Sequence, residues 1–168
     1  MCIRDSWCSD HLEIHARNRE VVRILFVLDA CDREIITWSA VAQAGISGEM
    51  VRDLMVTALE RRFGTTKVPQ PVEWLSDNGS AYIAKETADT ARALGLTLLF
   101  TPVRSPESNG MSEAFVKTLK RDYASITVLP DAATILALLP DWIEDYCEVH
   151  PYSGLKFRSP REFIRRSA

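Results

Sequence analysis

Two carboxylates stand out by their surroundings and by the distance between them. Asp77 follows the strand-forming run Val72 to Ser76 and enters the turn Asp77-Asn78-Gly79-Ser80, where Asn-Gly tolerates the positive φ of a sharp reversal. Glu113 comes after thirty-five intervening residues, in the stretch Met111 to Tyr123. At roughly 100° per residue, Met111, Phe115, Val116, Leu119 and Tyr123 share one arc of a helix, and Glu113, Lys117, Lys120 and Arg121 share the other. A strand-end Asp facing a helix-borne Glu can share a divalent metal ion, a hard cation that prefers carboxylate oxygens. Such a site asks for a third acid, and Asp10, in Trp7-Cys8-Ser9-Asp10, supplies it from the first strand-like run. Taken alone, Asp77 reads equally well as a turn-former and Glu113 as a solvated helix residue; spacing and flanking residues together carry the metal reading. Asp29 and Asp32 compete for the third place and read as strand-end and turn residues.

These acids need a frame. Trp7 to Ile14, Val21 to Ala30 and Glu34 to Ala42 are β-branched and aromatic runs that predict three antiparallel strands, the last two joined by the turn Cys31-Asp32-Arg33. Ser47 to Phe63 reads as a helix with Ser47 as its cap and Gly64 past its end. Lys67 to Pro71 is a loop, Val72 to Ser76 a fourth strand, Ala84 to Leu94 a helix stopped at Gly95, and Leu96 to Phe100 a fifth strand. Asp131 to Val149 is helical in pattern, but Pro140 lacks a backbone donor and predicts two segments or a kink. Trp7, Trp38, Trp74 and Trp142 read as core aromatics and not as base-stacking platforms.

With 168 residues, 46% of them hydrophobic, one well-cored domain is expected. The net charge of −3 shows no basic excess, yet the charges are unevenly spread. Asp131 to Glu148 holds five acids and no Lys or Arg, whereas Lys156, Arg158, Arg161, Arg165 and Arg166 follow with Glu162 as the one acid, a basic tail suited to an acidic helix. Cys2, Cys8, Cys31 and Cys147 show no metal-binding spacing and no disulfide framework, His11, His15 and His150 no paired zinc pattern, and Cys31 and Cys147 read as buried thiols. No run is long and apolar enough for a membrane span and no signal peptide is evident, which predicts a cytoplasmic protein with no membrane partner.

W-x-x-D at Trp7 to Asp10, D-N-G-S at Asp77 to Ser80, and S-P-E-S-N-G-x-x-E-x-F-x-K-x-x-K-R-D-Y from Ser105 to Tyr123 resemble the DDE transposases and retroviral integrases. The match is nearest to the second-frame (OrfB) transposases of bacterial insertion sequences of the IS-three family, and His150-Pro151-Tyr152-Ser153 and Arg158-Ser159-Pro160-Arg161-Glu162 extend it through the tail. The resemblance implies an α/β, ribonuclease-H-like fold, a mixed five-stranded sheet flanked by helices, with Asp10 and Asp77 on neighbouring central strands. It divides the chain into a leader, 1–6, a catalytic core, 7–149, and a basic C-terminal tail of that core, 150–168. Met1 to Ser6 can be spelled in codons that match a transposon-end adapter used in sequencing libraries, so a non-native leader is expected, with the family's helix-turn-helix segments upstream of it.

The implied chemistry is phosphoryl transfer on DNA: strand cleavage and strand transfer with two Mg2+ ions, or Mn2+ in their place, held by Asp10, Asp77 and Glu113. Lys117 and Lys120, on the face of Glu113, are expected to contact DNA phosphates, with Asn109, Arg104, Ser105, Ser108 and Arg121 as further DNA contacts. Expected partners are element-end and target DNA, further copies of the chain, and a DNA-binding product of an upstream frame. Two alternatives stay open, a structure-selective nuclease on the same fold and a catalytically silent DNA-binding or assembly fragment.

Overall fold

A computed structural model describes residues 6–101 and 110–167. Five strands form one sheet: β1 (Ser6–His15), β2 (Val21–Asp29), β3 (Ile35–Ala42), β4 (Val72–Ser76) and β5 (Leu96–Phe100). Their order is β3-β2-β1-β4-β5, antiparallel through the opening meander and parallel from β1 to β4 and β5. The N-terminal strand is therefore central. Ser6, assigned by sequence to the leader, opens β1; its carbonyl accepts from the Ala30 amide at 2.9 Å and its hydroxyl donates to Glu73 at 3.1 Å.

Both faces of the sheet are covered, which explains why β2 is apolar almost throughout and does not alternate. On one face Cys8, Leu12 and Ile14 of β1 and Ile24, Phe26 and Leu28 of β2 pack with α4 (Gly110–Thr118) and α5 (Ala132–Glu148). On the other, Trp7, Leu25, Val27 and Trp74 pack with α1 (Gly48–Phe63) and α3 (Lys85–Leu94). Trp7 and Trp74 are fully buried, in keeping with a packing role. Ser47 caps α1 by accepting from the Met50 amide at 3.2 Å, and Gly64 and Gly95 end α1 and α3 at φ of 69° and 83°, the left-handed conformation glycine adopts without strain.

Four expectations change. A short helix, α2 (Ser80–Ile83), precedes α3 where only a turn was foreseen. After Thr118 the chain widens into a π-helical turn, Leu119–Ala124, closed by the Ser125 amide on the Lys120 carbonyl at 2.9 Å. The helix α5 runs unbroken through Pro140, because that residue lies on the exposed face, where water can satisfy the Leu136 carbonyl, and Ile135, Leu139, Trp142, Ile143 and Tyr146 carry one buried stripe across it. Cys31, expected as a buried thiol, is disulfide-bonded, while Cys147 is the buried thiol expected and Cys8 is a second.

The tail is folded back. Its last helix, α6 (Pro160–Ser167), lays Arg161 against Glu144 and Glu148 of α5 and Glu34 beside β3, with Arg165 also on Glu148, so the basic tail and acidic helix meet as their charges suggested.

Candidate active site

Asp10 is the fifth residue of β1 and points to the same side as Cys8 and Leu12, the face on which α4 lies. Its neighbour Ser9 points the opposite way, is fully buried, and bonds both the Phe26 carbonyl and the Tyr82 hydroxyl at 3.0 Å. This buried contact ties β1 to α2. The parallel register pairs Cys8 with Leu75, and carried two residues further it sets Asp10 opposite Asp77 just beyond the end of β4.

Asp77 is held by its turn. Its Oδ1 accepts from the Gly79 amide at 2.8 Å, while the Asn78 side-chain amide donates to the Thr101 carbonyl at 2.8 Å and ties the turn to the end of β5. The turn does not use the positive φ that Asn-Gly suggested, for Gly79 sits at φ −60°. Glycine is needed for room instead: a Cβ there would lie 2.9 Å from Asp77 Oδ1.

Glu113 is exposed in the first turn of α4, where the helix dipole favours a carboxylate. The helix is set by Phe115, fully buried, whose ring meets Phe26 at 4.7 Å and Tyr146 at 4.9 Å. Phe26 is the β2 partner of Asp10, so the residue anchoring Glu113's helix packs directly behind Asp10's strand.

Electrostatics tie the three acids together. Burial raises the Asp10 carboxyl above its usual range; the backbone bond from His11, 2.8 Å, and the His11 side chain oppose this, and the charges of Asp77 and Glu113 push it further up. Tyr82 is likewise raised, chiefly by burial, with the charges of Asp10 and Asp77 adding to it against the bond from Ser9. Three acids that repel one another across strand, strand end and helix suit divalent cations, which remove that repulsion. Among the described residues no three His, Cys, Asp or Glu side chains are yet gathered into a group that could hold a metal ion, so the fit lies in the donor set and its charge.

Lys117 and Lys120 are both exposed, and neither joins an ion pair among the described residues. Lys117 follows Glu113 by one α-turn. Lys120 falls in the π-helical turn and lies beside Glu13 and His15 at the far end of β1. Arg121 is turned away, paired with Asp122 at 2.6 and 2.7 Å, and lines a groove with His150 and Phe157. Asn109, Arg104, Ser105 and Ser108 lie outside the described residues. Sequence reasoning did not single out Tyr82, whose position five residues after Asp77 is its one signal, nor Arg33, which borders the cleft next to the acids.

A mixed five-stranded sheet in the order β3-β2-β1-β4-β5, flanked by helices on both faces, is the fold of the integrase class. The chain belongs to the integrase core domain family, whose models match residues 4–106 and 94–160. Over 159 residues it is 63% identical to an uncharacterized protein of insertion element IS136 from Agrobacterium fabrum, covering 95% of this chain and 82% of that one. It is 52% identical over 162 residues to the putative transposase InsD of insertion element IS2E from Escherichia coli, covering 96% and 74%. Among solved structures, the Mos1 transposase catalytic domain with Mg superposes at a TM-score of 0.71 and 15% identity over 84% of this chain and 71% of that one.

Proposed function

We propose that this chain is the catalytic core of an insertion-sequence transposase, cutting and joining DNA strands at a site built from Asp10, Asp77 and Glu113. The observation that carries this reading is geometric: the parallel register sets Asp10 opposite Asp77, and Phe115 seats the helix of Glu113 against Phe26, the β2 partner of Asp10. Two Mg2+ ions, or Mn2+, supply when bound the charge neutralisation and the activation of a water or a 3′-hydroxyl that phosphoryl transfer requires. Asp10 and Asp77 would hold them from the sheet and Glu113 from the helix. With Oδ1 of Asp77 committed to the Gly79 amide, its other oxygen is available for ligation in a fixed orientation. Lys117 and Lys120, free of protein carboxylates among the described residues, are suited to DNA phosphates passing along α4. No covalent bond between protein and DNA is needed.

Assembly of several copies on paired element ends, with an upstream-frame DNA-binding product, belongs to the same proposal, as does action in the bacterial cytoplasm at the nucleoid. Among the described residues no helix is long and apolar enough to cross a membrane. A structure-selective nuclease would share the metal chemistry and differ in the second step. The test is incubation of the chain with labelled element-end duplex and a target plasmid in Mg2+ or Mn2+. Joined products are expected; nicking without joining would favour the nuclease, and neither activity would return the chain to a silent binding fragment.

A further inference from the structure

Beside the acids lies a cleft of about 380 Å³, lined by Cys8, Leu75 and Met111 together with Arg33 and Tyr152. Each of the first three precedes one of the acids by two residues. At about 3.3 Å per residue, the strand positions put the cleft roughly 7 Å from Asp10 and Asp77 on the same face of the sheet.

Arg33 is the unusual group in it. The arginines around it are neutralised: Arg62 by Asp29, Asp32 and Glu34, Arg161 by Glu34, Glu144 and Glu148. Arg33 has no carboxylate partner among the described residues, and its Nε is buried without a hydrogen-bond acceptor. Its guanidinium carbon stands 5.7 Å from the centre of the Tyr152 ring, a cation–π contact that leaves the edge of the fork, with its donors, for another ligand. The backbone points the same way. Arg33 sits at φ 67° in the β2–β3 turn, a conformation that glycine or asparagine would adopt with less strain, so the turn itself does not call for arginine.

Resting on the reading of the acids as a DNA-cleaving centre, we infer that Arg33, backed by Tyr152, binds a backbone phosphate of the DNA strand one nucleotide away from the phosphate at the carboxylates. A planar fork with fixed donors matches two phosphate oxygens, and an uncompensated, half-buried cation gains more from an anion than the exposed Lys117 or Lys120 would. Arg33 is thus a positioning residue, holding the strand in register with the acids without touching the reacting atoms.

The test measures binding of a short labelled duplex in EDTA, where metal chemistry plays no part, over a range of salt concentrations. Arg33→Met is expected to bind about tenfold more weakly and to flatten the log–log salt dependence by about one, with Arg33→Lys keeping the slope and regaining part of the affinity. In the unsubstituted chain, neutral methylphosphonate linkages are placed one at a time along the strand; one next to the cutting position should weaken binding, and Arg33→Met should be indifferent to it. An unchanged slope in a folded Arg33→Met, or no sensitive linkage next to the cut in the unsubstituted chain, overturns the inference. Joining assays keep the two readings apart. Arg33→Met should join slowly but measurably, whereas joining by Asp77→Asn would sink the catalytic assignment and leave the EDTA measurement standing.

Discussion

At Asp77 the side chain that matters and the residue that fixes it are different. The carboxylate is oriented by the Gly79 amide, and a methyl group at position 79 would press on the same oxygen at 2.9 Å. Gly79→Ala is therefore expected to lower metal-dependent cleavage by roughly tenfold or more while shifting the melting temperature little, because small misplacements of a ligand are costly in rate. Asp77→Asn and Glu113→Gln should abolish cleavage and joining with the fold intact; retained strand transfer in either, at a matched melting curve, would refute their assignment. For Lys117 and Lys120, the double alanine variant should flatten the salt dependence of DNA binding by about one for each lysine that meets a phosphate, whereas surface ion pairing would leave the slope alone and cost about 0.5 kcal/mol or less. The spacing of Asp77 and Glu113 could be read from the sequence because a turn and a helical period are local patterns. Tyr82 and Arg33 could not, since what distinguishes them is a hydroxyl across 73 positions in one case and, among the described residues, a buried Nε without an acceptor in the other.

Among the elements, α4 carries the consequence of one aromatic. Phe115 is wedged between Phe26 and Tyr146, and Phe115→Ala should cost about 3–5 kcal/mol through lost burial and the cavity left behind. It should also reduce cleavage by more than the unfolded fraction explains, because the helix end bearing Glu113 loses its seat; denaturant titration beside activity normalised to folded protein separates the two effects. The strands and most helices were legible because burial on two faces leaves continuous apolar runs and caps mark the ends. The π-helical turn and the unbroken α5 were not. The first swings Tyr123 to where its hydroxyl reaches Asp145 at 2.7 Å, and the second depends on which side of the helix meets water, both set by packing between elements distant in sequence.

At the scale of the molecule, the acids are divided between two networks. Away from Asp10, Asp77 and Glu113, Arg62 gathers Asp29, Asp32 and Glu34, and burial, then the Asp29 charge, pushes Asp32 up to about 6 against the pull of Arg62. The folded state thus keeps a proton on Asp32 that the unfolded chain releases near pH 4, so stability falls as pH rises from about 4 to 6 and is level above. Asp32→Asn should remove that decline, worth at most about 3 kcal/mol, with the denaturation midpoint measured at several pH values as the readout. The position of β1 at the middle of the sheet has a different kind of consequence. As the chain leaves the ribosome, β1 can pair with β2, and β2 with β3, at once, but Asp77 emerges 67 residues after Asp10 and Glu113 another 36 after that. The three acids are therefore all present only after every strand of the sheet has been made. A product that stops before α4 lacks Glu113 and, on the function proposed above, is expected to leave DNA strands uncut.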